Sequence, residues 1–154
     1  MTRTNKLLLA ILIAVVAAFA GARMQPFVPT QTQEPTSRIL DNVDIDPATL
    51  AILERSCQNC HSEKTVWPWY SRLAPVSWLI ARDVQQARRH ANLSRWQEYA
   101  AGDRQQILSA IGSAVRNHEM PPGRYLLLHP EAKLTEEERQ RIYKWTKAER
   151  TRTK

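Results

Sequence analysis

The apolar residues of this chain form one uninterrupted run near the amino terminus and several later stripes at helical spacing. The run extends from Leu7 to Ala22 and follows the basic residues Arg3 and Lys6. As a helix it would span about 24 Å, somewhat less than the roughly 30 Å hydrocarbon core of a bilayer. Residues 1–22 are therefore predicted to be a signal peptide or a membrane anchor. In both cases we expect the following domain outside the cytoplasm, since basic residues before the run favour the inner side.

The later stripes predict four helices in the rest of the chain. Asp46-Pro47 is typical of an N-cap followed by a first-turn proline, and the first helix leads from there into Cys57. The last helix opens with Thr135 and Glu138 in the pattern of a capping box. The positions predicted to face the core are Leu50, Leu53 and Cys57; Val76, Ile80, Val84 and Ala87 within residues 75–91; Ile107, Ile111 and Val115, joined by His118, within residues 103–118; and Ile142, Trp145 and Ala148.

The composition favours a small all-α domain. The chain has 154 residues, 43% of them hydrophobic, and only four glycines. Its β-branched residues do not gather into the alternating runs typical of strands. Residues 23–44 are predicted to be a flexible linker, because Pro26, Pro29 and Pro35 lie there among polar residues. Residues 45–150 are then expected to form one compact domain.

The formal net charge of +7 does not by itself indicate a nucleic-acid partner. The basic residues are interspersed with acidic ones along the predicted helices, and they form no long run of like charge. A solvated helical surface explains this distribution better than a nucleic-acid site does. We therefore expect no nucleic-acid partner, whereas acidic proteins are partners that such a surface would attract.

Cys57-Gln58-Asn59-Cys60-His61 carries the clearest chemical signal. Cys-x-x-Cys-His is the attachment signature of a c-type haem. Two cysteines three residues apart on a helical turn can both reach the vinyl groups of one porphyrin and form thioethers. The adjacent histidine can then bind the iron. Both cysteines of the chain lie in this motif, so we expect one covalent haem c on Cys57 and Cys60 with His61 as the proximal ligand.

Two other uses of a Cys-x-x-Cys pair fit the sequence less well. A thioredoxin-like redox pair requires a βαβ context, and no such pattern is present. A structural zinc site requires two further ligands, and neither a second cysteine pair nor a paired histidine motif follows. A thiol-redox or zinc protein therefore comes last among the alternatives.

The distal iron ligand is predicted to be Met120. It follows a predicted helix and precedes Pro121-Pro122, which restrict the backbone and could hold the thioether over the iron. Methionine opposite histidine leaves no open position on the iron and suits electron transfer. His90, His118 and His129 are the other candidates. We expect His90 to interact with a helix end, His118 to compete with Met120, and His129 to serve in packing or capping.

The cysteine motif and Met120-Pro121-Pro122, together with several other short segments, resemble the small bacterial haem-binding domain family. Its members are cytochrome c-like proteins that are often tethered to a membrane. The resemblance covers about residues 45 to 148. It implies covalent haem on Cys57 and Cys60, an axial ligand at His61 and a distal ligand at Met120. The segments that carry it are Cys57 to His61, Trp67-Pro68-Trp69-Tyr70, Ala74 to Leu79, His90 with Trp96, Met120-Pro121-Pro122, and Leu128-His129-Pro130.

These observations predict an all-α, cytochrome c-like domain that transfers single electrons between redox partners in the periplasm or outside the cell. No catalytic residue is expected. One alternative is a haem-based sensor or haem enzyme, in which Met120 is absent from the iron or is easily displaced. Another is a membrane-tethered docking module that the haem merely stabilises.

Overall fold

The computed structural model describes residues 3–23 and 38–153, which form helices joined by turns and loops, with no strand among them. The predicted all-α class is confirmed. The α-helices of this part are α1 (Arg3–Arg23), α2 (Pro47–Ser56), α3 (Gln58–His61), α4 (Val76–His90), α5 (Ala101–Arg116), α6 (Gly123–Leu126) and α7 (Glu136–Arg152). Short 3-10 helices lie at Trp69–Arg72, Leu93–Glu98 and Pro130–Ala132.

The chain divides into two compact units. The first comprises residues 1–32 and 67–83, and it contains α1 and the start of α4. Within α1, Arg3–Gly21 is long and apolar enough to cross a membrane, with a mean hydropathy of 2.0 and no buried residue. Length and composition alone support this statement, and a signal sequence has the same properties. The amino-terminal apolar helix is therefore present, and both of its predicted uses remain open.

The second unit comprises residues 33–66 and 84–154 and contains the cysteine motif and the main hydrophobic core. Leu108 of α5 and Ile142 of α7 are completely buried. These two helices pack closely at Gly112, where a Cβ atom would lie 2.7 Å from Oγ1 of Thr146. The core side chains are Ile39, Leu40, Leu50, Ile52, Leu53, Leu93, Trp96, Leu108, Val115, Leu134, Ile142 and Trp145.

Two helices begin where their capping residues predict. Asp46 is the N-cap of α2, and its carboxylate accepts hydrogen bonds from the backbone N–H of Thr49 at 3.0 Å and from its hydroxyl. These bonds, above all the one from the hydroxyl, lower the pKa of Asp46. Thr135 and Glu138 form the predicted capping box of α7. Polar side chains here satisfy N–H groups that have no partner inside the helix.

The buried faces of the later helices differ from the predicted stripes. In α5 the buried positions are Leu108, Gly112 and Val115. Ile107 and Ile111, which were predicted to face the core, are only partly buried and pack against its edge. The sequence predicts His118 on this inner face, but the residue lies beyond the end of α5 and is exposed.

The stripes of α4 and α7 are also shorter than predicted. Val76 and Ala148 are exposed, whereas Val84, Ile142 and Trp145 are buried as expected. Each of the two exceptions stands at an end of its stripe.

The folded core reaches further back than residue 45. Ile39 and Leu40 are both buried, and the N–H of Leu40 donates a hydrogen bond to the carbonyl of Leu93 at 2.9 Å. These residues lie in the segment predicted as linker, of which residues 24–37 are outside the described part of the chain. The prediction missed them because two adjacent apolar residues show no helical period.

Candidate functional site

The cysteine motif lies at a sharp junction between two helices. Cys57 ends α2 and precedes α3, with backbone angles of φ −124° and ψ −32°. Its carbonyl accepts hydrogen bonds from the N–H groups of Cys60, at 3.2 Å, and His61, at 3.0 Å. The two cysteines and the histidine therefore lie on one tight helical turn, as the spacing predicts. Both cysteines are partly buried, and they do not form a disulfide.

The imidazole of His61 is oriented by a hydrogen bond to a backbone carbonyl outside the motif. Its Nδ1 lies 3.1 Å from the backbone carbonyl oxygen of Ala91, just beyond the end of α4. Because a carbonyl oxygen can only accept, Nδ1 must carry the proton, and the lone pair of the neutral ring then lies on Nε2. Burial of the side chain lowers the pKa of His61. The hydrogen bond selects the Nδ1–H tautomer and burial favours the neutral ring, so Nε2 is the nitrogen that is free to bind a metal.

The Cys57 thiol does not have the properties of a reactive thiolate. Burial, reinforced by the nearby Cys60, raises the pKa of Cys57 to about 12. Redox-active and metal-binding cysteines have pKa values lowered by positive groups or helix N-termini. No group of three or more His, Cys, Asp or Glu side chains with metal-binding geometry occurs in residues 3–23 and 38–153. This environment does not favour the thiol-redox and zinc alternatives.

The loop that follows His61 is fixed by the half-buried guanidinium of Arg88. Its Nε donates to the carbonyl of Ser62 at 2.8 Å, and its Nη2 donates to the hydroxyl of Thr65 at 2.9 Å. The Thr65 hydroxyl in turn donates to the carbonyl of Asn59, inside the motif, at 2.7 Å. Burial lowers the pKa of Arg88. Arg88 thus ties α4 to the motif and its loop, a role that its sequence position at a basic helix end does not reveal.

The segment that carries Met120 begins at the capped end of α5. The N–H of His118 donates to the carbonyl of Val115 at 3.2 Å, and the N–H groups of Glu119 and Met120 donate to that of Ala114 at 2.9 and 3.3 Å. His118 adopts φ 60°, the left-handed conformation that closes many helices. The chain then turns away from the helix axis, and the Met120 side chain is 38% exposed.

One hydrogen bond joins the Met120 segment to the cysteine motif. Nδ2 of Asn59 donates to the hydroxyl of Tyr125 at 3.2 Å, and Oδ1 of Asn59 accepts from the N–H of Val66 at 3.1 Å. Tyr125 lies five residues after Met120, in α6. The structure therefore brings the segment after Met120 next to α3.

The donor atoms of the cysteine motif suit the covalent attachment of a haem and the coordination of its iron. His61 offers a neutral imidazole with a fixed tautomer, and the partly buried Cys57 and Cys60 lie on the same turn. Comparison with known families gives the deciding observation, because the model of a haem-binding domain matches residues 17–148. The chain belongs to the haem-binding domain family. Comparisons with curated proteins and with solved structures found no match.

Family membership confirms the predicted resemblance and supports haem as the cofactor of this haem-binding domain. The matched segment begins inside α1 and continues almost to the end of α7. It therefore includes the cysteine motif, Met120 and the whole hydrophobic core of the second unit.

The other three histidines of the haem-binding domain have separate surroundings. His90 is exposed and ends α4, next to the Ala91 carbonyl that binds Nδ1 of His61. His118 is exposed at the turn that closes α5. The His129 ring stacks on Tyr125 with centroids 4.2 Å apart, and its Nδ1 lies 3.0 Å from Oε1 of Glu131.

Proposed function

We propose that this haem-binding domain is a c-type cytochrome that carries one covalent haem and transfers single electrons. Cys57 and Cys60 would form the two thioethers, and His61 would bind the iron on the proximal side. The observation that carries this proposal is the hydrogen bond from Nδ1 of His61 to the Ala91 carbonyl. It orients the ring and leaves Nε2 as the coordinating atom, which is how second-shell groups prepare a metal-binding histidine.

Met120 would supply the distal ligand. Its backbone is held at the end of α5, and the downstream Tyr125 is hydrogen-bonded to Asn59 between the two cysteines. His90 is less suitable, because it is the exposed last residue of α4 and directly precedes Ala91, whose carbonyl binds Nδ1 of His61 and not Nε2. His118 is also less suitable, since its backbone is fixed in the turn that closes α5.

The chemistry of electron transfer is supplied by the haem iron, which changes its oxidation state by one when bound. The residues of this chain would hold the group, fix its ligands and limit the access of water. Thioether bonds suit a domain of this size, because they retain the cofactor without requiring a large core.

The proposed location is outside the cytoplasm, with α1 as an anchor or as a signal that is removed. An apolar amino-terminal helix preceded by basic residues supports this location. Redox proteins with acidic surfaces are the proposed partners, since the chain carries a formal charge of +7. No nucleic acid is part of this proposal.

The proposal is tested on protein produced with haem-attachment machinery. Haem should stay with the polypeptide in denaturing electrophoresis, and the oxidised protein should show the charge-transfer band of a methionine–iron bond. His61→Gln should disturb the spectra of both oxidation states because the proximal ligand is lost. The matched control His90→Gln should leave both spectra unchanged.

Two outcomes would contradict different parts of this proposal. Absence of covalent haem in the unmodified protein would overturn the c-type assignment. Equal spectral changes in the two histidine variants would overturn the assignment of His61 as the proximal ligand.

A second candidate function is a haem-based sensor or haem enzyme with a displaceable distal ligand. It keeps Cys57, Cys60 and His61 in the same roles and differs only in whether Met120 stays bound to the iron. Rapid binding of carbon monoxide to the reduced protein at neutral pH would support this candidate over an electron carrier.

A further inference from the structure

Arg139 is a buried arginine of α7 whose hydrogen bonds converge on the end of α5 and the Met120 segment. The residue is 8% exposed. Its Nη1 donates to the carbonyl of Val115 at 2.9 Å and to the carbonyl of Met120 at 3.3 Å. One nitrogen therefore joins the last turn of α5 to the backbone of the proposed distal ligand.

The charge of Arg139 is compensated by carbonyl oxygens. In the described part of the chain no carboxylate forms an ion pair with it. Burying a guanidinium is costly unless its donors are hydrogen-bonded. The carboxyl end of a helix carries partial negative charge, which favours a cation at the end of α5. The bond to Val115 suits this stabilisation of a helix end, but the bond to Met120 reaches beyond the helix.

The second bond completes the fixation of the Met120 backbone. The N–H of Met120 donates to Ala114, and its carbonyl accepts from Arg139. Pro121 and Pro122 follow, and neither has an N–H with which to anchor the chain. The carbonyl of Met120 is thus the point at which α7 holds this segment.

We propose that Arg139 is a positioning residue that holds Met120 for binding to the haem iron. Arg139 acts through the backbone of Met120 and touches neither the haem nor the iron. This inference rests on the proposed function, because it requires Met120 to be the distal ligand. It adds a residue on α7 that the cysteine motif and the Met-Pro-Pro segment do not indicate.

The test compares three forms of the full-length haem-loaded protein: unmodified, Arg139→Gln and Gly112→Ala. The Gln side chain is neutral and shorter, so we expect the methionine–iron bond to weaken. The charge-transfer band should decrease, and carbon monoxide should bind the reduced variant about tenfold faster, the effect of losing a hydrogen bond from a charged donor. Covalent attachment and the His61 ligand should be unaffected.

Gly112→Ala controls for a general loss of stability. It disturbs the packing of the same two helices through Thr146 and leaves the hydrogen bonds of Met120 in place. It should lower the melting temperature without changing the band or the carbon monoxide rate. If Arg139→Gln does not fold, Arg139→Lys serves instead, since it keeps the charge but presents a single ammonium group to the carbonyls.

The outcomes separate this inference from the proposed function. The unmodified protein could show the charge-transfer band and keep it unchanged in Arg139→Gln or Arg139→Lys. That result would overturn the positioning role of Arg139 and leave methionine ligation intact. Equal effects of Arg139→Gln and Gly112→Ala on the carbon monoxide rate would reduce Arg139 to a structural residue. Absence of the band in the unmodified protein would overturn methionine ligation, and the role of Arg139 with it.

Discussion

His61 and His118 show how one residue type takes different roles from its backbone and its neighbours. The imidazole of His61 is fixed by the Ala91 carbonyl, thirty residues away in sequence. His118 instead contributes its backbone, because its φ of 60° and its N–H close the end of α5. A side chain with a Cβ atom is strained in this left-handed region, whereas glycine is not.

His118→Gly is therefore expected to stabilise the protein by about 0.5–1 kcal/mol, because the left-handed conformation costs a residue with a Cβ atom about 1–2 kcal/mol, whereas the greater backbone entropy of glycine costs about 0.5–1 kcal/mol. Urea denaturation of the haem-loaded protein measures this gain, with His118→Ala as the control that retains the Cβ atom. The spectra should be identical in all three forms, since His118 is not proposed to bind the iron. A gain in His118→Ala equal to that in His118→Gly would contradict the backbone explanation.

At the scale of elements, α7 is the helix whose limits were most fully predicted. Its capping box is present, with Glu138 Oε2 accepting from the N–H of Thr135 and the Thr135 hydroxyl accepting from the N–H of Glu138. Glu138 has a second role, because its carboxylate accepts two hydrogen bonds from Nη2 of Arg55, at 2.9 and 2.8 Å. The pair links α2 to the start of α7. Local sequence predicts the cap, but the partner on α2 depends on the packing of the two helices.

The ion pair between Arg55 and Glu138 makes the free energy of unfolding depend on pH in the acid range. Hydrogen bonding to Arg55 is the main cause that lowers the pKa of Glu138 below its ordinary value of 4.5. The folded state therefore gains stability from this carboxylate above pH 4.5, and loses the gain as the pH falls through the lowered pKa. Glu138→Gln should flatten the acid side of the stability curve and cost under about 1 kcal/mol at pH 7, because the pair is partly exposed.

Urea denaturation at a series of pH values measures this effect. Glu137→Gln is the matched control, since the Glu137 carboxylate has no arginine among the causes of its own lowered pKa. A curve for Glu138→Gln as steep in acid as that of the unmodified protein would show that other carboxylates dominate the acid response.

At the scale of the whole molecule, the second unit depends on the close approach of α5 and α7. Gly112 allows this approach, since a Cβ atom there would lie 2.7 Å from Oγ1 of Thr146. Arg139 is on the same face of contact, where it bonds the end of α5 and the Met120 backbone. The interface between these helices thus both builds the core and holds the proposed distal ligand.

Gly112→Ala should destabilise the haem-loaded protein by about 1–3 kcal/mol, the usual cost of adding a methyl group to a filled core. Thermal or urea unfolding gives the value. Gly102→Ala is the control, because nothing lies within 4 Å of a Cβ atom at that position of α5. It should be neutral or slightly stabilising, as alanine favours the helix more than glycine does. Equal effects of the two substitutions would contradict the close packing at Gly112.

The all-α class, the starts of α2 and α7, the apolar amino-terminal helix and the haem family follow from the sequence alone. Each depends on residues that are close in the chain: a capping pair, a helical period, an apolar run or the Cys57–His61 spacing. The contacts between distant residues follow from the folded chain: Ala91 orients His61, Arg88 fixes the loop after it, Asn59 joins Tyr125, and Arg139 holds Met120. These contacts join residues 19 to 66 positions apart, and the backbone carbonyls among them occur at every residue, so no local pattern reveals which one is used.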